Sequence, residues 1–374
     1  MGQDRLQLSE LSNHGFRNLS PEPVSFGAGV TLITGENAQG KTNLLEAVYL
    51  GATGRSPRSA VLAEMVMWEQ QGARVKLDFT EDDAERSLEV RLERGESGRT
   101  KRTLAVDGKP ISAQALAGRL RTVLFHPEEM TLIRGSGEGR RRLLNGLMTQ
   151  SEAGYAATLS RYTRVLEQRN QLLKRIAQEV EPVDSLAWWT AEIARLGGEL
   201  VRARREAVGR LAPLVSAKYR EVAPGEELEL RYDPNVAEDG DPEGAIAAEL
   251  ERRQREEIAR GLTVAGPHRD DLNFALGGLP AAAHASQGQQ RTAILAFKLA
   301  EVEVLSTGVQ PPVLLLDDVM SELDAPRRQH LVELVETSPQ ALITSAEEGY
   351  FPPGFVERVH TRRVVAGHLV KVGK

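Results

Sequence analysis

Apolar and polar residues alternate in short runs through the first 130 residues. Leu6-Gln7-Leu8 and Val24-Ser25-Phe26 alternate, and so do Val75-Lys76-Leu77-Asp78-Phe79 and Leu88-Glu89-Val90-Arg91-Leu92. Successive side chains of an extended chain point to opposite faces, so this period predicts half-buried strands. Asp107-Gly108 follows Thr103-Leu104-Ala105-Val106 as a turn signal. Two runs are mostly apolar instead: Val30-Thr31-Leu32-Ile33, and Val123-Leu124-Phe125, which Pro127 stops.

From about Arg140 to Val222 the period becomes helical. Between Tyr155 and Ile176 the residues Leu159, Tyr162, Val165, Leu166, Leu172 and Leu173 fall mostly on one helical face. Pro182 breaks the pattern, which resumes from about Trp188 through Leu196, Leu200, Val208 and Leu211. Two long helices joined by a short break predict an antiparallel pair, an arm inserted in the chain. Leu228-Glu229-Leu230-Arg231-Tyr232 then reads as a strand. A loop rich in Asp, Gly and Glu (Ala237 to Gly244) leads to one more helix, ending near Arg260. From Leu262 strands and helices return, and Val313-Leu314-Leu315-Leu316 and Ala341-Leu342-Ile343-Thr344 have the continuous apolar character of buried parallel strands. The expected fold is α/β. It has an N-terminal lobe at 1–130, a helical arm at 131–261, and a C-terminal part at 262–374 that completes the domain begun by the first.

Composition narrows the chemistry. There is no cysteine, so disulfides, zinc–thiolate sites, iron–sulfur clusters and thiol nucleophiles are excluded together. No run of 18 apolar residues offers a membrane-spanning helix. The opening MGQDRLQLSE has no signal-peptide pattern, and Leu6 stands where a myristoylation site needs Ser or Thr. The expected location is the cytoplasm, with no membrane partner. Net charge is −6, which argues against a generally cationic nucleic-acid binder. The charge is unevenly placed, however: Thr131 to Val222 carries 16 Lys+Arg against 10 Asp+Glu. Such a segment can supply sequence-independent phosphate contacts. Arg140, Arg141 and Arg142, with Arg161, Arg164 and Arg169 on the arm, are the candidates for touching DNA.

Gly35-Glu36-Asn37-Ala38-Gln39-Gly40-Lys41-Thr42 fits G-x-x-x-x-G-K-[ST] without a mismatch, between an apolar strand and the helix that Asn43 continues. Glycines let the backbone amides wrap a phosphate, and the helix N-terminus adds positive potential. Lys41 is expected to bridge the β- and γ-phosphates of ATP, and Thr42 to ligate Mg2+. Asp317, ending the strand Val313–Leu316, is the second expected magnesium ligand; Asp318 is placed to orient or activate the attacking water. Ser286-Gln287-Gly288-Gln289-Gln290 opens a helix 31 residues before Asp317. Ser286 is suited to cap that helix. Ser-x-Gly-Gln-Gln at this distance also resembles the signature motif of ATP-binding-cassette (ABC) ATPases, and Ser321-Glu322-Leu323-Asp324 resembles their D-loop. That resemblance implies a homodimer sandwiching two ATPs. Ser286, Gly288 and Gln289 of one chain would cap the γ-phosphate held by the other.

The resemblance sharpens over nearly the whole chain. Gly15-Phe16-Arg17-Asn18-Leu19, Thr34-Gly35-Glu36-Asn37, Lys41-Thr42-Asn43-Leu44-Leu45-Glu46-Ala47 and Phe125-His126-Pro127-Glu128-Glu129 are similar to segments of the RecF family, SMC-like ABC-type ATPases that mediate bacterial recombination. So are Gly54-Arg55-Ser56-Pro57-Arg58, with Pro57 in place of the usual His, Gly266-Pro267-His268-Arg269-Asp270-Asp271, and Leu316 through Asp324. The resemblance implies an ABC-type ATPase head with a mixed or parallel core sheet, an antiparallel β subdomain and the arm. It also implies ATP-dependent binding of double-stranded and gapped DNA at single-strand/double-strand junctions. There the family works with RecR and RecO to load RecA and support SOS induction. Asp318 is shorter than the glutamate of most ABC ATPases, so slow, DNA-stimulated hydrolysis is expected, a timer for dissociation. His268, Asp270 and Asp271 read as a tight turn entering the strand Leu272-Asn273-Phe274 in preference to a metal cluster. No residue stands out for the glutamine-loop role; His126 and Glu128 lie in the right stretch. The rival readings are an SMC-type DNA tether, a transporter's nucleotide-binding subunit and a P-loop kinase. The first needs a far longer coiled coil. The second normally carries Leu-Ser-Gly-Gly-Gln, and the third lacks the Ser286 signature.

Overall fold

The computed structural model describes residues 6–371 except 82, 96–97, 237–239 and 308–309. The chain divides into two compact units, Met1–Met130 with Glu301–Lys374, and Thr131–Ala300.

The first unit is built on two six-stranded sheets. In one, the order is 368–371, 360–365, 29–34, 340–345, 313–317, 122–125. The five strands from 360–365 to 122–125 run parallel, and His368–Lys371 pairs antiparallel at the edge. The strands Val313–Asp317, Gln340–Ser345 and Thr122–Phe125 are buried at every position. This is why they read as unbroken apolar runs: a parallel sheet is covered on both faces. The other sheet is antiparallel, in the order 24–25, 7–14, 72–81, 84–94, 100–106, 109–111. Its strand Gly72–Glu81 buries Ala73, Val75, Leu77 and Phe79 and leaves the positions between them accessible, the alternation its sequence predicts. Helix Lys41–Thr53 packs against both sheets. Its Leu44, Leu45, Ala47, Val48 and Leu50 share one core with Leu77, Val90, Leu315 and Leu342. The mixed, largely parallel core sheet and the antiparallel subdomain both match the expected ATPase-head fold.

In the second unit, helices Tyr155–Ala177 and Leu186–Val222 pack along each other, joined through a short 3-10 turn at Val183–Ser185. Leu159, Tyr162, Leu173 and Ile176 of the first are buried. So is Arg169, at a position its charge had assigned to the surface. The single helix expected before Arg260 is two, Pro242–Arg252 and Gln254–Arg260. Arg253 leaves helical geometry (φ −100°, ψ 8°), and its amide returns to the Glu249 carbonyl to close the first helix. Gly244 lies inside that helix; residues 237–239 of the preceding loop are outside the described residues.

The units divide at 300/301 instead of at the expected 261/262. The reason is backbone pairing. Asp271–Leu276 pairs antiparallel with Leu228–Asp233 over its whole length, which ties 262–300 to the insertion by a hydrogen-bond ladder.

Candidate functional site

Strand Gly29–Thr34 delivers the chain into the loop 35–40, and helix Lys41–Thr53 leaves it. The loop turns on left-handed backbone at Gly35 (φ 151°), Ala38 (φ 64°) and Gly40 (φ 114°). A β-carbon on Gly35 would sit 2.6 Å from the Val364 carbonyl oxygen, and one on Gly40 3.1 Å from Asn18 Oδ1. Only glycine fits both the conformation and the space. The crest is held from two sides. Asn18 Nδ2 donates to the Ala38 carbonyl (3.3 Å), while the amides of Ala366 and Gly367 donate to Gln39 Oε1 (2.6 Å) and to its carbonyl (2.9 Å). Gly40 offers no side chain to cap the helix that follows. The helix N-terminus therefore presents amides and the positive end of its dipole to the loop interior. Asn37, Ala38, Gly40, Lys41, Thr42, Asn43, Arg58 and Asp318 line an open cleft of about 380 Å³ at this point.

Lys41 is 4% exposed. Its ammonium donates to the carbonyls of Gly35 (2.7 Å) and Glu36 (3.2 Å) and lies 3.6 Å from Asp318 Oδ2. Asp317 is 3% exposed. The hydroxyls of Thr42 and Thr344 each donate to its Oδ1 at 2.9 Å, and His126 Nε2 faces its Oδ2 across 3.4 Å. Burial pushes the Asp317 carboxyl above the ordinary carboxylate range, and the facing His126 and the two hydroxyls oppose the shift. Asp318 takes left-handed backbone (φ 47°). Its amide donates to Thr344 Oγ1 (3.0 Å) and its Oδ1 accepts from the Ala346 amide (2.9 Å), which aims the remaining oxygen at Lys41.

The arrangement fits a polyphosphate with a hard divalent cation. A cation needs oxygen donors, and Thr42 and Asp317 bring a hydroxyl and a carboxylate together at the mouth of a loop shaped for phosphate. Glu36, Asn37, Ala38, Gln39 and Gly40 supply the loop backbone, with Gln39 also using its side chain as a brace. Asn43 bridges Asn18 Oδ1 (2.7 Å) and Arg58 (2.8 Å) at the rim.

In the second unit, Ser286 and Gln289 form a reciprocal cap on helix Gln287–Ser306. The Gln289 amide donates to Ser286 Oγ (3.2 Å), and the Ser286 amide donates to Gln289 Oε1 (2.8 Å). Gly288 lies in the first turn, and Gln289 Nε2 also donates to Glu226 (3.1 Å). Ser286 is exposed.

Comparison with known proteins agrees with this geometry. The family described as RecF/RecN/SMC N terminal domain matches residues 7–360. A DNA replication and repair protein RecF of Roseiflexus castenholzii is 38% identical over 392 residues, covering 97% of this chain and 99% of that protein. The chain belongs to the RecF family.

Other similarities fit the family. The DNA replication and repair protein RecF of Symbiobacterium thermophilum is 40% identical, covering 91% and 92% of the two chains. A solved structure of the recombination mediator protein RecF with ATP, of the RecFOR pathway, superposes with a TM-score of 0.88 at 30% identity, covering 100% of this chain and 99% of that one. An Smc head domain from Pyrococcus furiosus shares the fold alone, with a TM-score of 0.53 at 15% identity. Among the described residues no helix is long and apolar enough to cross a membrane.

Against this RecF-family frame, the six arginines separate. Arg142, Arg161 and Arg164 are exposed, Arg161 with Glu192 at 3.1 Å. Arg169 cannot reach DNA. It is 1% exposed and bonds Glu257 (2.6 Å), itself 0% exposed, and Thr263 (2.8 Å), because a guanidinium on the packed face of the helix needs a buried partner. Arg140 pairs bidentately with Asp271 and donates to three carbonyls, and Arg141 donates to the Asp270 carbonyl. Both brace the turn before strand Asp271–Leu276. That turn holds a polar network. Asp270 accepts from Arg204 (2.8 Å), Tyr232 and the Asn235 amide (2.8 Å), while His268 sits between Tyr162 and the Thr263 carbonyl.

Two contributors escaped the sequence reading. Glu46, 1% exposed on the P-loop helix, accepts from Arg17 (2.7 and 3.0 Å), Ser56 (2.6 Å) and Arg58 (3.2 Å), and so holds Arg58 at the cleft. Its signal was a charged residue inside the apolar run Leu44–Val48. His126 had been noted without a role. Its signal was its place one residue past the strand Thr122–Phe125, which pairs in register with Val313–Leu316 and so brings it beside Asp317.

Proposed function

We propose that the protein binds ATP with Mg2+ at the loop 35–42, hydrolyses it slowly, and uses it to pair two copies of itself on DNA. The carrying observation is that Lys41, Thr42 and Asp318 line one cleft, with the buried Asp317 bonded to Thr42 at 2.9 Å. Lys41 would exchange its carbonyl partners for the β- and γ-phosphates, and Thr42 and Asp317 would hold magnesium. Asp318, held by Thr344 and Ala346, is the group placed to orient a water. The cation neutralises charge on the transferred phosphoryl group; the chain's task is positioning.

Ser286, Gly288 and Gln289 form a helix N-terminus exposed at Ser286, and such a terminus favours an anion. In the proposed dimer it meets the γ-phosphate bound by the partner copy, so hydrolysis removes the group both chains hold. The exposed Arg142, Arg161 and Arg164 supply DNA phosphate contacts. Membership of a family whose relatives are named as DNA replication and repair proteins, with a structural neighbour of the RecFOR pathway, supports action at gapped DNA with RecR, RecO and RecA. The family's DNA would stimulate hydrolysis, and the resulting turnover would time dissociation in the cytoplasm.

Sedimentation with ATP, Mg2+ and a gapped duplex tests the reading, using Ser286→Asp as the control. Aspartate caps a helix as well as serine does, so the fold is kept while a negative charge is set against the partner's triphosphate. The unmodified protein is expected to dimerise with nucleotide. The variant should bind ATP yet stay monomeric. A monomer at saturating MgATP, or a variant that dimerises normally, refutes the dimer.

A further inference from the structure

We propose that His126 is a positioning residue for the cation site, a donor that fixes the free oxygen of Asp317; this rests on the reading of the cleft as a site for ATP and Mg2+. Three observations carry it. The first is tautomer. The Glu128 amide donates to His126 Nδ1 at 3.2 Å, so Nδ1 is an acceptor and Nε2 is the ring nitrogen left to act as the donor. The second is position. Nε2 lies 3.4 Å from Asp317 Oδ2, the oxygen left over by the two threonine hydroxyls at Oδ1. The third is rigidity. Pro127 follows His126, which confines its backbone to extended conformations, and the preceding strand Thr122–Phe125 is buried throughout and paired in register with Val313–Leu316.

An Nε2 that carries its proton has no lone pair for a metal. His126 therefore acts through the carboxylate: it sets the plane of Asp317 and leaves the outward lone pairs for the cation. Donors behind a metal ligand fix its orientation, and removing one typically costs about 10- to 100-fold in metal affinity. The 3.4 Å separation is longer than a strong hydrogen bond. Binding of the cation is expected to draw the two groups together.

The test compares full-length protein with His126→Leu and His126→Gln. Leucine removes the donor. Glutamine places an amide N–H close to the position of Nε2. Two readouts are taken: binding of a fluorescent ATP analogue across a Mg2+ titration and in EDTA, and Mn2+ occupancy by EPR in the presence of nucleotide. For His126→Leu, the cation concentration at half-saturation should rise at least ~10-fold, with EDTA-state nucleotide binding unchanged. His126→Gln should recover most of the loss. Cation affinity unchanged in His126→Leu overturns the proposal. So does equal loss in both variants, or a parallel loss of nucleotide binding in EDTA, since each describes a structural role. If the unmodified protein binds no nucleotide, the ATP reading itself has failed.

Discussion

Acidification should destabilise the second unit through one histidine. His268 lies between Tyr162 and the Thr263 carbonyl. Its Nδ1 is 2.6 Å from the Tyr162 hydroxyl, and its Nε2 is 3.1 Å from the Thr263 carbonyl. The carbonyl can only accept, so Nε2 carries the proton and Nδ1 accepts from the phenol. Burial is the main cause that lowers the imidazole from 6.5 to about 4, reinforced by the nearby Arg269 and Arg141 and opposed by the Thr263 hydrogen bond and Asp270. Burial also pushes the Tyr162 phenol up, so it stays a donor. The sign follows from proton counting. Between pH 6.5 and about 4 the unfolded chain holds a proton on this ring that the native state lacks. Stability is therefore full above 6.5 and falls as pH drops through that window. At pH 5 the unfolded ring is well below its midpoint while the native one is mostly neutral, a loss of about 2 kcal/mol. Trp188 and Trp189 report on this unit, and exposed Trp68 on the other can be silenced by Trp68→Phe. In that background, urea unfolding followed by fluorescence at pH 7 and pH 5 is compared with His268→Gln. Glutamine offers a donor and an acceptor in similar places but does not titrate. The unmodified unit should lose about 2 kcal/mol more than the variant between the two pH values; parallel losses would refute the half-buried, neutral histidine.

Two further outcomes follow from buried charges. Glu46→Ala strands Arg17 and the partly exposed Arg58 without their carboxylate, and is expected to cost about 3 kcal/mol of stability with weaker nucleotide binding; an unchanged thermal midpoint would count against the cluster. Arg169→Ala leaves Glu257 buried and unpaired, so thermal unfolding should show a loss of roughly 3–5 kcal/mol. The log–log salt slope of its DNA binding should stay as it was, whereas Arg142→Ala, Arg161→Ala or Arg164→Ala should each lower that slope by about 1.

How legible the protein was depends on the range of the interaction that decides each feature. Helix Tyr155–Ala177 and strand Val313–Asp317 are written locally: their burial follows from their own apolar spacing, so both were read correctly. Arg169 is different. Its burial depends on Glu257, 88 residues away, and nothing near it announces that partner. A charged residue on a basic helix therefore looked like surface. The domain boundary failed for a similar reason. Strand Asp271–Leu276 has an ordinary alternating pattern, but its partner is Leu228–Asp233, and pairing partners are not encoded in a strand's own period. The helix break at Arg253 has neither proline nor glycine to mark it.

The candidate site shows both regimes in one place. The loop from Gly35 to Thr42 must bend through left-handed backbone without β-carbons at Gly35 and Gly40, and that requirement leaves a visible motif. The carboxylate opposite it carries a weaker mark, because two aspartates after an apolar strand are common. What makes Asp317 more than a turn is its set of donors: Thr42 on the P-loop helix, Thr344 on one neighbouring strand and His126 at the end of the other. Parallel strands bring their C-terminal ends to one edge of the sheet, so residues from four separate stretches of chain meet without any two being close in sequence. Burial raises the Asp317 carboxyl while Thr42, Thr344 and His126 oppose the shift, and a cation held beside Thr42 would favour the ionised form further.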